Sequence, residues 1–103
     1  MSTSLIVERS PSGDARVAGR IDVDNAAAAL AQGKQLDAGG GTGRIDIAAL
    51  QSADSVTLAV LLAWAALARR NGGRLAFVHA TSRLRAIAHL SDAEGLLGLD
   101  APG

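Results

Sequence analysis

A chain of 103 residues with 49% apolar content is about the size of one compact domain and long enough to bury a core without help from metal or disulfide. Ten basic and ten acidic residues cancel and neither sign forms a block, so the electrostatic footprint that holds nucleic acid phosphates is missing and no nucleic acid partner is expected. With no cysteine, disulfides, thiolate zinc sites and a cysteine nucleophile are excluded, and the composition fits a reducing compartment.

The opening "MSTSLIVERSPSG" has no basic n-region and only three consecutive apolar residues before Glu8, so it does not read as a secretory signal, and a cytoplasmic protein is expected. "SLIVER" and "ARVAGRIDV" read as two short strands separated by "SPSGD", whose Pro11, Gly13 and Asp14 supply turn chemistry. In the second, Ala15, Val17, Gly19 and Ile21 alternate with Arg16, Arg20 and Asp22, which predicts one buried and one wetter face. Asp24 and Asn25 are good N-cap residues for the helix-forming run "AAAALAQGKQL", which has a weak point at Gly33.

"DAGGGTG" follows as a surface loop. It does not read as a phosphate loop, because it leads from a helix into a strand and lacks the Gly-Lys-Ser/Thr ending that a P-loop requires. "RIDIAAL" reads as a third strand. The long helix after it is predicted from about Ser55 to Asn71, with Arg69 and Arg70 in its last turn and Gly72 and Gly73 available for a left-handed C-terminal cap. Its apolar stretch from Val56 to Ala68 is too short for a membrane span, which needs about 20 residues. Packing on the sheet is expected through Leu58, Leu61, Leu62 and Ala65, with Trp64 as filler of a core or interface.

"RLAFVHA" is predicted as a fourth strand, with Leu75 and Phe77 on one face and Ala76 and Val78 on the other; Thr81 then caps "SRLRAIAHL", where Leu84, Ile87 and Ala88 share a helical face. In "SDAE", Ser91 and Glu94 have the spacing of a capping box for a last short helix. The order ββαβαβαα makes strands three and four parallel within one βαβ unit and the sheet mixed.

Few residues carry chemistry. His79 and His89 have no carboxylate or cysteine at ligand spacing, so neither a metal nor a cofactor is expected; His79 is read as a half-buried strand end and His89 as a helix edge. A G-x-S-x-G elbow is absent, and catalysis is not expected. What stands out is the polar cluster Ser52, Asp54, Ser55 and Thr57 at the start of the long helix. Asp54 or Ser55 can cap that helix; the cluster also sits at the C-terminal edge of the strands, where α/β folds place their sites, and a phosphate on a hydroxyl there would meet free amides and a favourable dipole.

"DIAALQSADSVTL" resembles the signature of the STAS domain family, Asp-x-Ser, an apolar position, then Asp-Ser/Thr-x-Gly-Leu at the start of a long apolar helix. Asp46 and Asp54 match its two aspartates, Ser55 its hydroxyl and Leu58 its apolar position, and the likeness continues through "ARRNGGRLAFVHATSRLRAIAHL". Ala48 stands where a hydroxyl is common, Val56 where anti-sigma factor antagonists carry their phosphorylated serine, and Thr57 where glycine is usual. The resemblance implies one STAS domain over residues 1–103, an α/β fold with a four-stranded mixed sheet and helices mainly on one face, and no enzyme activity. Its Asp-hydroxyl-apolar order is closer to the MlaB-like members, cytoplasmic subunits of a phospholipid ABC transporter. These imply a partner in the transporter's ATPase subunit and a peripheral position at the inner membrane. The alternative is an anti-sigma factor antagonist with a kinase partner. Either way Asp54, Ser55, Val56 and Thr57 are the implied partner-binding or regulatory positions, with Ser55 and Thr57 as candidate phosphorylation sites.

Overall fold

The computed structural model describes residues 5–9, 14–36 and 42–99; most of the predicted turn "SPSGD" and of the predicted loop "DAGGGTG" lies outside them. Four strands, β1 (Ile6–Arg9), β2 (Ala15–Gly19), β3 (Thr42–Leu50) and β4 (Arg74–Val78), form one sheet in the order β1-β2-β3-β4. β1 and β2 pair antiparallel, whereas β2–β3 and β3–β4 are parallel, so the sheet is mixed as the element order requires. Alternation selects its two faces: Ala15, Val17, Ile45, Ile47, Leu75 and Phe77 are buried, while Arg16 and Arg44 stay exposed on the other side.

The buried face is covered by α1 (Ala26–Gln32), a 3-10 turn (Gly33–Leu36), α2 (Ser55–Arg70), α3 (Ser82–Leu90) and α4 (Glu94–Leu97). α2 is the central element. Its inner side buries Thr57, Leu58, Val60, Leu61, Trp64, Ala65 and Ala68, so the stripe is turned slightly from the expected one. Leu62 lies at the edge of that stripe, half-buried, and lines a surface groove with Ala66, Arg69 and Leu96. The Trp64 indole N–H donates to the Ala29 carbonyl at 2.9 Å and ties α2 to α1. The price of that contact is local: a Cβ on Gly33 would lie 2.5 Å from Trp64 Cδ1, so only glycine lets the chain pass under the indole, and the helical run changes to 3-10 there.

Helix ends explain two further differences. Neither Asp24 nor Asn25 caps α1 through its side chain; Asn25 Oδ1 instead accepts the Asp22 N–H at 2.9 Å and its amide donates to the Arg20 carbonyl at 2.7 Å, holding the β2–α1 turn. Ser91 does not open α4. It closes α3, which ends with Asp92 at φ 53° and with the Ala93 N–H bonded to the Ala88 carbonyl at 2.8 Å, the left-handed double closure known for helix C-termini. This closure takes up the backbone that a capping box would have used. Glu94 consequently meets His89, 2.8 Å from Nδ1, rather than a backbone amide. The same closure at α2 uses Gly72 at φ 82°, with Gly73 N–H on Ala68 O, as the two glycines predicted.

Candidate functional site at the start of α2

β3 delivers the chain to α2 through residues 51–54. The Gln51 N–H bonds the Gly19 carbonyl at 2.7 Å, carrying the pairing one step past the ends of β2 and β3. Asp54 then takes an extended conformation (φ −128°), and its Oδ1 accepts the Thr57 N–H at 2.9 Å while its own carbonyl accepts Leu58 N–H at 3.0 Å. Asp54 is therefore the N-cap. The Thr57 amide is the main reason its carboxyl is held below the ordinary carboxylate value, in spite of the opposing effect of partial burial.

The four expected site residues do not share one surface. Asp54 and Ser55 are exposed, and the Ser55 hydroxyl makes no hydrogen bond to another described residue. Val56 is half-buried against the core. Thr57 is 0% exposed, which removes it from both the surface and the set of modifiable hydroxyls. Its Oγ1 lies 2.7 Å from Ser52 Oγ and 3.3 Å from the Ile21 carbonyl, while Ser52 Oγ accepts the Ile21 N–H at 2.9 Å. Two buried hydroxyls thus satisfy both backbone polar groups of Ile21, where the chain leaves β2 and has no strand partner to do so. A hydroxyl at position 57 is accounted for by this closed network.

On its solvent side the helix start borders a groove of about 550 Å³. Its walls come from three separate places: Arg20 and Asp22 after β2, Asp54 before α2, and Arg83 and Ile87 on α3. The sequence places Arg20 only on the wetter face of the second strand and Ile87 only on the apolar face of the third helix; no local signal assigns them or Arg83 to the site, since only the tertiary fold brings residues 20, 54 and 83 to one edge.

Asp46 and His79 lie elsewhere, toward the open face of the sheet. Asp46 Oδ1 accepts the Ala48 N–H at 2.9 Å and stands 3.3 Å from His79 Nδ1. The Ala48 amide first, and His79 with Arg16 after it, hold the Asp46 carboxyl below its ordinary value. The His79 side chain is 60% exposed, not half-buried, because β4 stops at Val78 and His79 turns off the sheet with φ 63°. His89, also exposed, has its imidazole pKa raised by Glu94. Among the described residues no three His, Cys, Asp or Glu side chains gather as a metal site would need, and no helix is long and apolar enough to cross a membrane.

The sheet order and the parallel β3–α2–β4 unit define the fold. The same fold is seen in the crystal structure of an anti-sigma factor antagonist from Mycobacterium paratuberculosis, which superposes with a TM-score of 0.72 at 24% identity over 98% of this chain and 87% of that one. The NMR structure of the protein TM1081 gives 0.70 at 13% identity, over 91% of this chain and 78% of that one. No curated protein matches the chain. The family profile described as "Mlab, STAS domain" matches residues 8–98, nearly the whole length, and the chain belongs to the STAS domain family.

Proposed function

We propose that this protein is a non-catalytic accessory subunit that binds and regulates the ATPase subunit of an MlaB-type phospholipid ABC transporter, in the cytoplasm and peripheral to the inner membrane. The observation that carries this reading is the match of residues 8–98 to the family profile described as "Mlab, STAS domain". The state of the first turn of α2 supports it: position 56 is a half-buried valine and the hydroxyl of Thr57 is consumed inside the fold, so the serine that would make an antagonist switch has no counterpart at that position. Asp54 and Ser55 remain as the exposed pair to meet a partner.

A second reading, an anti-sigma factor antagonist controlled by a kinase, is favoured by one feature, the unengaged Ser55 hydroxyl beside the N-terminal amides of α2. The two are separated by purifying the protein with the ATPase subunit encoded in the same genome and measuring affinity by calorimetry. A stable complex with the ATPase subunit is expected, weakened by Ser55→Glu because the partner would have to bury an added charge without a prepared cation. Absence of that complex, together with binding to an anti-sigma kinase and phosphate on Ser55, would reverse the order of the two readings.

A further inference from the structure

The groove beside the start of α2 holds charges of both signs, and they differ in what they already hold. Its carboxylates are turned to the backbone: Asp22 Oδ1 accepts the N–H groups of Asp24 at 2.9 Å and Asn25 at 3.1 Å, and Asp54 Oδ1 accepts that of Thr57. Its guanidinium groups are not so engaged. Arg20 and Arg83 are exposed, and neither side chain makes an ion pair or hydrogen bond with another described residue. Each presents five N–H donors in a planar fork suited to a carboxylate. Half-buried Ile87 adds apolar wall beside them.

The open face of the sheet provides the internal control. There Glu8, Arg16 and Asp46 are neighbours in register across β1, β2 and β3, and Asp46 also meets His79, so opposite charges answer one another within the chain. At the α2 groove one oxygen of each carboxylate is held by backbone N–H groups, whereas the two guanidinium groups have no partner among the described residues. A complementary surface must therefore bring acceptors, and an aliphatic group for Ile87.

We infer that the groove between the end of β2, the start of α2 and α3 receives an acidic segment of the partner protein, with carboxylates on Arg20 and Arg83 and an aliphatic side chain against Ile87. This rests on the reading of the α2 start as the partner-binding surface and gives that surface a sign.

The test needs only this chain. A phage-displayed library of random dodecapeptides is panned on the immobilised protein, and selected peptides are measured by fluorescence anisotropy at low and high salt. The selected sequences are expected to carry Asp or Glu around Leu, Ile or Val, and to lose affinity in salt. Affinity should fall about tenfold or more in the Arg20→Glu/Arg83→Glu double variant, equivalent to about 1.4 kcal/mol or more. Arg16→Glu/Arg44→Glu, on the open sheet face, should leave it unchanged. If the double reversal fails to fold, Arg20→Gln/Arg83→Gln takes its place with the same direction expected. Selection of basic or neutral peptides, no saturable binder, or binding indifferent to both arginine pairs would overturn the inference. Because no ATPase subunit enters the assay, such a failure leaves the proposed partner standing, and a failure of the ATPase subunit to bind leaves this result standing.

Discussion

Ser55 and Thr57 lie two residues apart in the first turn of one helix, and their hydroxyls have opposite fates. Thr57 points into the protein and closes a buried network with Ser52 and Ile21; Ser55 is exposed, next in sequence to Asp54, which lines the groove with Arg20 and Arg83. Two residues along a helix are about 200° apart around its axis at 3.6 residues per turn, so a cluster that looks uniform in sequence is divided between core and solvent. The inner half of the α2 start serves stability. The outer half is available for recognition.

The comparison can be broken by substitutions that should separate stability from binding. The largest expected effect is on the inner side one turn further along, where Leu61 is fully buried. Leu61→Ala should lower unfolding free energy by about 2–5 kcal/mol in urea titrations, and an unchanged midpoint would show that α2 is not the core helix. Thr57→Val keeps the buried volume but removes the hydroxyl, leaving the Ile21 carbonyl and Ser52 short of a partner; a loss of about 1–3 kcal/mol is expected. A variant as stable as the parent would mean that the buried network contributes nothing.

Asp54 sits between the two halves, exposed yet bonded to the backbone, and its contribution should depend on pH. Asp54→Ala should cost about 1 kcal/mol near neutral pH. The folded carboxyl is held below its ordinary 3.8, so the advantage is present above that value and is lost as pH falls through the lower folded one. The stability gap between parent and variant is therefore expected to shrink in acid; a gap constant from pH 7 to pH 2 would rule out the charge-assisted cap. Smallest of all, Ser55→Ala should shift stability by no more than about 0.5 kcal/mol, since Ser55 is exposed and Asp54 already caps the helix. A larger loss would give Ser55 a structural role and undo the division.

The features legible in the sequence were those governed by neighbours along the chain. The extent of α2 follows from its apolar run, the aspartate that caps it and the glycine that lets its last carbonyls be satisfied by a left-handed turn. Thr81 is the N-cap of α3, its Oγ1 accepting the Leu84 N–H at 3.3 Å. The mixed sheet follows from the order of elements, because a strand, helix and strand in succession make a parallel pair. The motif of Asp46, Asp54, Ser55 and Leu58 likewise indicated the family that the profile match establishes.

Local signals failed where two structures could use the same residues. Ser91 and Glu94 have capping-box spacing, but the end of α3 takes the Ser91 N–H first, bonding it to the Ile87 carbonyl at 3.1 Å. Asp24 and Asn25 have cap chemistry, yet the turn after β2 supplies nearer partners for Asn25. The sequence by itself determined where α2 and α3 run and which residues start them, because those depend on backbone groups three to five residues away, whereas the strand ends, predicted further along at Val23 and Ala80, are set by pairing with distant strands and fall at Gly19 and Val78. Only the tertiary structure decided that Thr57 is core while Ser55 is surface, that Ser52 reaches Ile21 across 31 positions, and that Arg20 and Arg83 flank one groove. A hydroxyl or a guanidinium carries the same local signal whether buried or exposed, and its environment is set by which strands pair and which helix covers them.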